Sequence, residues 1–307
     1  MRNSSAESGV SPPVVIVVLN HNKRNDVLAC LASVSKLTYR PMTVVVVDNA
    51  STDGSREAIR MAFPGYHLVE SPTNVGASRG RNLGVEYAER HLCFDYAMFL
   101  DDDAEATAGS LSVCIDWLCR DDQAGIVCGK TYTQPNSRVL MSTGIRVRLA
   151  AASVYDIGSG EEDRGQHDEP RAVDACGGFA FVIRRTLLHQ LRGFDEAFSP
   201  YGWEEVDLCL RARALGYRTV YLPAALFSHK GTRQGRPSVP EYELHKARHF
   251  ITLLKRHATF TEQLRCAAWI PVRALKLSWK FVRRGEASLI FLHVRGALRG
   301  LWRRPHF

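Results

Sequence analysis

Residues 97–103 read Ala-Met-Phe-Leu-Asp-Asp-Asp, four apolar residues running straight into three carboxylates. A short apolar run bounded by polar residues reads as a strand buried on both faces, and the acidic triplet then stands at its carboxyl end. Two earlier runs are built the same way: VVIVVL at 14–19 leads into Asn20-His21-Asn22, and VVVV at 44–47 leads into Asp48-Asn49-Ala50-Ser51-Thr52-Asp53. Between them Val27, Leu31 and Val34 recur at helical intervals after Asn25 and Asp26, which are good N-cap types, and further helices are expected near Ser55 and near Ala77. The alternation gives βαβαβαβ, an open α/β sheet. Ligands of such sheets bind beyond the carboxyl ends of the strands, so the three polar strand ends mark where a site belongs.

Downstream the signals shorten. Residues 134–170 hold QPNSR and GSGEEDRGQHDEP, a loop-rich stretch expected to be substrate-facing or mobile. An apolar strand from Phe179 to Ile183 precedes a short helix, Gly202-Trp203-Glu204-Glu205 opens another helix, and Thr219 to Leu222 reads as a last strand before Pro223. The chain has 307 residues and 45% hydrophobic content, enough for one large α/β domain with an appendage or for two modest domains. Its eight cysteines are scattered and form no CxxC pair, which favours a reducing compartment. MRNSSAESGVSPP, residues 1–13, is polar and is expected to be a disordered arm. The apolar run after it is too short for a signal h-region, and no run of 18 apolar residues suggests a membrane span. The expected location is cytoplasmic.

Charge divides the chain unevenly. Fourteen of the 40 Lys and Arg, but only four of the 32 Asp and Glu, lie from Glu241 onward, so that segment carries a net +10 and residues 1–240 a net −2. A body without a basic excess argues against nucleic acid as a partner. Within the tail, Leu264, Ala268, Val272, Leu275, Trp279 and Val282 repeat at three- and four-residue spacing, while Arg273, Lys276, Lys280, Arg283 and Arg284 line another face. A bend is expected at Pro271. Ile290, Val294, Ala297 and Leu301 beside Arg295 and Arg299 repeat the pattern. Two readings fit a basic amphipathic tail over 258–307: peripheral contact with the inner face of an anionic membrane, or packing against the chain's own body or a second subunit.

The chemistry concentrates at the triplet. In extended chain the first and third residues point to one side and the second to the other, so Asp101 and Asp103 address one ligand. Carboxylates that close call for a cation, and hard ions such as Mg²⁺ or Mn²⁺ suit a few carboxylates plus diphosphate oxygens. Taken alone, the triplet is equally the composition of a solvated acidic turn. Six stretches read together decide otherwise: VVIVVLNHNKRNDVLACLASV, VVVVDNASTDGS, NVGASRGRNLGV, MFLDDDAEA, GGFAFVIRR and GFDEAFSPYGWEEVDLCLRARALGYRTVYLPAALFSH. In this order they resemble the motifs of family 2 glycosyltransferases, most closely the rhamnosyltransferase-like branch, from about Val14 to about His257.

The resemblance implies a GT-A fold over 14–257, with a nucleotide-sugar half at 14–125 and an acceptor half at 126–257 sharing one mixed sheet flanked by helices. It implies a metal-dependent, inverting transfer from a nucleotide-diphosphate sugar, dTDP-rhamnose or a UDP-sugar, to a hydroxyl of a glycan or lipid-linked acceptor in surface polysaccharide or glycolipid assembly. Asp48 would meet the nucleobase or ribose. Asn20, Asn49, Asn74, Gly76, Arg79, Arg81, Asp101 and Asp102 complete the implied donor site, its arginines being suited to phosphate. Asp101, Asp103 and His229 would hold the divalent metal. The family's base is the second residue of a Glu-Asp pair opening a helix; here the pair is Glu204-Glu205, which points to Glu205 and leaves Glu204 as the substitute, since consecutive helical residues diverge by about 100°. A dehydrogenase would need glycines after the first strand, and LNHNKRND has none. The remaining alternative is a non-catalytic sugar-nucleotide-binding relative or a membrane-surface adaptor.

Overall fold

The computed structural model of the chain describes residues 11–232, 238–283 and 285–302. Residues 1–10 of the expected arm, and Arg284 of the tail, lie outside them. The N-terminal alternation comprises β1 (Val14–Asn20), α1 (Arg24–Ser35), β2 (Met42–Asn49), α2 (Ser55–Ala62), β3 (His67–Ser71), α3 (Gly76–His91) and β4 (Tyr96–Asp101). β1 pairs in parallel with β2 and β4, and β3 adds to the outer edge of β2. Only the last residue of β3 is buried, which is why it lacks the apolar run that marks the other three strands. α1 starts at Arg24, so Asn25 and Asp26 lie inside its first turn instead of before it. The N-terminal amide of Arg24 donates instead to the Asp53 carboxylate from the next strand end, at 2.8 Å.

The chain continues through β5 (Ala104–Ala106), α4 (Ser110–Arg120), β6 (Ala124–Tyr132), β7 (Leu140–Ser142), β8 (Ile145–Arg148), β9 (Ser153–Asp156), β10 (Arg171–Val173), β11 (Ala180–Arg184), α5 (Arg185–Gln190), α6 (Glu204–Ala214) and β12 (Arg218–His229). β11 runs antiparallel between β4 and β6 and welds both parts of the chain into one mixed sheet of order β10-β12-β6-β11-β4-β1-β2-β3. The strand expected to stop at Leu222 instead passes Pro223 and ends at His229. Its register with β6 shifts between Leu222 and Leu226, a bulge that tolerates the proline.

Strand alternation sorts the core into two layers. Val15, Val17, Val45, Val47 and Phe99 face one side with Val206 and Leu210 of α6, and Val14, Ile16, Val44, Val46 and Met98 face the other with Leu31 of α1 and Ile115 of α4. α3 lies tight on the sheet because Gly84 has no side chain: a Cβ there would meet Val17 Cγ1 at 2.5 Å. This closeness brings the start of α3 to the carboxyl ends of β1 and β4.

The C-terminal segment is helical: α7 (Val239–His257), α8 (Phe260–Arg283) and α9 (Ser288–Trp302). A capping box between Ser238 and Glu241 opens α7, and α8 runs through Pro271 without interruption. The apolar stripe of α8 does not pack on the chain's own body. Leu264, Leu275, Trp279 and Val282 are exposed, whereas Cys266 and Phe281, on the opposite side of the helix, are buried.

α7 is fastened at its far end by Asp207, a fully buried carboxylate on α6. It accepts from His257 Nε2 at 2.8 Å, Arg256 Nη1 at 3.0 Å and Arg211 Nε at 2.7 Å. Burial opposes its ionisation, but the hydrogen bond from His257 and the charges of Arg211 and Arg256 prevail and hold it below the usual carboxylate range. Because the folded pKa is depressed, the stability Asp207 contributes is fully present above the ordinary carboxylate range and is lost as pH falls below that range through the folded pKa. Asp207→Asn removes the buried charge on which Arg211, Arg256 and His257 converge, leaving Arg256 only its pair with Asp195, and is expected to cost about 3 kcal/mol. Urea unfolding at pH 7 and at about pH 2.5, below the ordinary carboxylate range, checks this: a variant within about 0.5 kcal/mol of wild type at pH 7, or one with an unchanged acid dependence, would contradict it.

Candidate active site

The carboxyl ends of β1, β2 and β4 lie side by side, with Asn20 opposite Asp48 and Leu19 opposite Asp101. Above them opens a cavity of about 320 Å³. Its walls include His21, Lys23, Asn49, Asn74, Gly76, Arg81, Asp101, Asp102, Phe179, Tyr201, Glu204, Glu205, His229 and Tyr242.

Two of the expected donor residues lie beneath the cavity. Asp48 is fully buried, with Oδ1 accepting from Asn20 Nδ2 at 3.0 Å and Oδ2 from the Ser51 amide at 3.0 Å. Asn20, equally buried, also donates to Ser51 Oγ at 3.1 Å. Together they clamp the loop after β2, and neither is among the residues that line the opening. Asn49 does reach the wall: its side chain takes the Val75 amide at 2.9 Å and donates to Asn74 Oδ1 at 3.0 Å, fixing the turn into α3. Gly76 sits there at φ +81°, and a Cβ would lie 2.6 Å from the Pro200 backbone, so this turn and the segment before α6 fit together only through glycine.

The two arginines of α3 part company. Arg79 turns outward to Glu86 and, at 3.5 Å, Glu196, away from the cavity. The reason is helical: two residues are about 200° apart, so only one of Arg79 and Arg81 faces inward. Arg81 does, but its donors are already taken, Nη2 by Asp101 Oδ1 at 2.8 Å and by the Gly178 carbonyl at 3.2 Å, and Nη1 by Glu204 Oε1 at 3.0 Å.

The acidic triplet splits one against two, as expected, although only Asp101 belongs to β4 and Asp102 and Asp103 form the turn into β5. Asp102 turns to Lys23 Nζ at 2.9 Å and the His21 amide at 3.2 Å, and burial pushes its carboxyl up to about 7 despite Lys23. Asp101 and Asp103 meet His229, with a ligand atom from each of the three within 4.8 Å of the others. The antiparallel pairing of β12 with β5 sets His229 opposite Ala104, which brings its Nε2 to 3.0 Å from Asp103 Oδ1. Phe179 stacks on the imidazole at 4.8 Å between centroids. Asp103 also accepts from Thr232 N at 2.8 Å and pairs with Lys23 at 2.9 Å. Burial works against its charge, but His229 and Lys23 hold it well below the usual range. Two carboxylates and an imidazole fit a divalent cation that keeps positions for oxygen ligands.

The two glutamates opening α6 differ in commitment. Glu204 is buried, Oε1 on Arg81 and Oε2 accepting from the Gly202 amide at 2.6 Å. Glu205 lines the cavity, with no ion pair of its own among the described residues. Burial, reinforced by the negative charge of Glu204 and opposed by Arg81, pushes its carboxyl up to about 8.

His21, Lys23, Phe179, Tyr201 and Tyr242 were not read as site residues from the sequence. His21 and Lys23 stand on the loop after β1, where the sequence signal is a lysine one position past the strand-end Asn-His-Asn. Tyr242 stacks on Tyr201 at 5.2 Å from a helix about forty residues further on, a meeting no local pattern announces.

Residues 15–192, more than half of the chain, match the family model described as Glycosyl transferase family 2. An N-acetylglucosaminyl-diphospho-decaprenol L-rhamnosyltransferase of Mycobacterium tuberculosis is 27% identical over 247 residues, covering 74% of this chain and 80% of that protein. Among solved structures, the mannosyltransferase PcManGT from Pyrobaculum calidifontis in complex with GDP-Man and Mn²⁺ superposes with TM-score 0.60 at 19% identity, covering 96% of this chain and 88% of that one. GalNAc-T7 with UDP, GalNAc and Mn²⁺ gives TM-score 0.63 at 15% identity, covering 81% and 48%. These likenesses establish the GT-A architecture.

A Mn²⁺ titration followed by electron paramagnetic resonance tests the triad. Asp103→Asn and His229→Gln are each expected to weaken Mn²⁺ binding roughly tenfold or more, and Arg79→Ala, outside the cavity, to leave it unchanged. Equal Mn²⁺ affinity in wild type and Asp103→Asn would remove the triad as the metal site.

Proposed function

The chain belongs to glycosyl transferase family 2, and from that premise we propose that it moves a sugar from a nucleotide-diphosphate donor onto a hydroxyl of a lipid-linked glycan acceptor, with inversion at the anomeric carbon. The observation that carries the base assignment is the contrast at the start of α6: Glu204 is spent on Arg81 and Gly202, while Glu205 faces the cavity that Asp101 and His229 also line. Glu205 is the general base that takes the acceptor hydroxyl proton as the oxygen attacks. Asp101, Asp103 and His229 would hold a divalent cation, Mg²⁺ or Mn²⁺, which would supply positive charge for the diphosphate. Arg81 orients Asp101 and Glu204, and the Asn49–Asn74–Gly76 turn shapes the wall for the donor. A dTDP-deoxysugar is the first donor to try and a UDP-hexose the second, in keeping with the rhamnosyltransferase among the relatives.

A base must be ionised, and a carboxyl near 8 is mostly protonated at neutral pH, so kcat/KM is expected to rise with pH towards a plateau above about 8. Glu205→Gln is expected to lower kcat roughly a hundredfold or more and to flatten that profile, with donor binding by thermal shift nearly unchanged. Wild-type turnover in Glu205→Gln, combined with its loss in Glu204→Gln at unaltered Tm, would transfer the role to Glu204. Removing divalent ions with excess chelator is expected to abolish turnover, which added Mn²⁺ or Mg²⁺ restores. Full activity in chelator would leave the diphosphate to be neutralised by the protein's own cations.

A further inference from the structure

Of the fourteen large hydrophobic side chains exposed among the described residues, ten lie on α8 and α9. On α8 they form a row: Leu264, Val272, Leu275, Trp279 and Val282 fall within about 80° of one another at 100° per residue, with Leu275 71% and Trp279 63% exposed. A helix that buries one face, here Cys266 and Phe281, and shows a second apolar face to water is a helix missing a partner. Immediately beside the row stand Arg265, Lys276 and Arg283, all exposed. The Arg283 guanidinium lies 4.6 Å over the Trp279 ring. α9 repeats the arrangement with exposed Phe291, Val294 and Leu298 next to Arg295 and Arg299.

We propose that the outer faces of α8 and α9 are a docking surface for an anionic lipid bilayer, the apolar rows entering the headgroup boundary and the flanking cations meeting lipid phosphates. Charge selects this occupant over a second copy of the chain. A symmetric helix-to-helix contact would bring two rows of Arg265, Lys276 and Arg283 together without a counter-charge, whereas an anionic surface complements them. Among the described residues no helix is long and apolar enough to cross a membrane, so the contact is with the surface.

The surface is coupled to the cavity through α7. Gly296 of α9 approaches α7 so closely that a Cβ would lie 2.2 Å from the Leu244 carbonyl, and Tyr242, two residues away, lines the cavity. Docking therefore holds the cavity near the plane in which a lipid-linked acceptor diffuses. In this the inference deepens the acceptor reading, yet the binding experiment needs no turnover, so either reading fails separately.

Full-length protein is floated with vesicles of phosphatidylcholine alone and of phosphatidylcholine with phosphatidylglycerol. Flotation is expected only with the anionic vesicles and is expected to fall as salt is raised to about 0.5 M. Leu275→Glu with Trp279→Glu, at positions with little to lose on folding, is expected to reduce the partition roughly tenfold or more, and Lys276→Glu with Arg283→Glu to weaken it too. Met61→Glu, at an exposed hydrophobe on α2, is expected to bind as wild type. Absence of flotation, equal flotation with neutral vesicles, or undiminished flotation of both double variants would overturn the proposal. A concentration-dependent dimer in sedimentation, broken by Leu275→Glu/Trp279→Glu and unaccompanied by lipid binding, would assign the face to a second copy.

Discussion

Arg81 is the cation on which the candidate site is assembled. Its guanidinium joins Asp101 at the end of β4, Glu204 at the start of α6 and the Gly178 carbonyl ahead of β11. These elements come from both expected halves of the domain, and four carboxylates, Asp101, Asp102, Glu204 and Glu205, line one small cavity. Like charges at such density repel strongly in a partly buried setting, and the arrangement holds because fixed cations sit between them: Arg81 on one flank and Lys23, bound to Asp102 and Asp103, on the other. Removing either leaves buried carboxylates short of a neighbouring cation, a larger penalty than the loss of any one surface ion pair.

This placement divides the acidic residues by role. Both oxygens of Glu204 are committed, one to Arg81 and the other to the Gly202 amide. Glu205, one position on, shares the same low-dielectric surroundings without the ion pair, and its raised pKa follows from burial beside a like charge. One helical step thus separates a structural anion from a group able to exchange protons.

Legibility in the sequence followed the range of the interactions. Val14–Leu19, Val44–Val47 and Ala97–Leu100 are buried on both faces, and burial writes itself into composition, so the three strands and the position of the site at their ends were readable. β3 is half-exposed at a sheet edge and left no such mark. The pairing of Asp101 with Asp103 was readable too, but extended chain is not what delivers it: Asp102 and Asp103 form a turn between β4 and β5. Side-chain commitment was not: Arg79 and Arg81 look alike in sequence, and only the way α3 packs through Gly84 decides which turns inward. Asp48 sits at a strand end as expected, but its oxygens go to Asn20 and Ser51, partners set by loop geometry. In the tail the spacing announced an apolar row, yet periodicity reports that a face is apolar without saying what it faces. A second face, marked by Cys266 and Phe281, docks α8 on the protein and leaves the conspicuous row outside.

α7 touches the cavity at Tyr242, carries Gly296 of α9 at Leu244 and ends in the Arg256–His257 clamp on Asp207. At 1.5 Å per residue its nineteen residues form a strut of about 28 Å, fixed at three points along its length. Such a strut transmits angle as well as distance. One residue inserted between Tyr242 and Arg256 would turn its two ends by about 100° relative to each other, so that the stacking on Tyr201 and the clamp on Asp207 could not both be kept. The length of this helix is therefore constrained in phase and in span at once: even a change of a whole turn, which nearly restores the angle, moves one end by about 5.4 Å relative to the other.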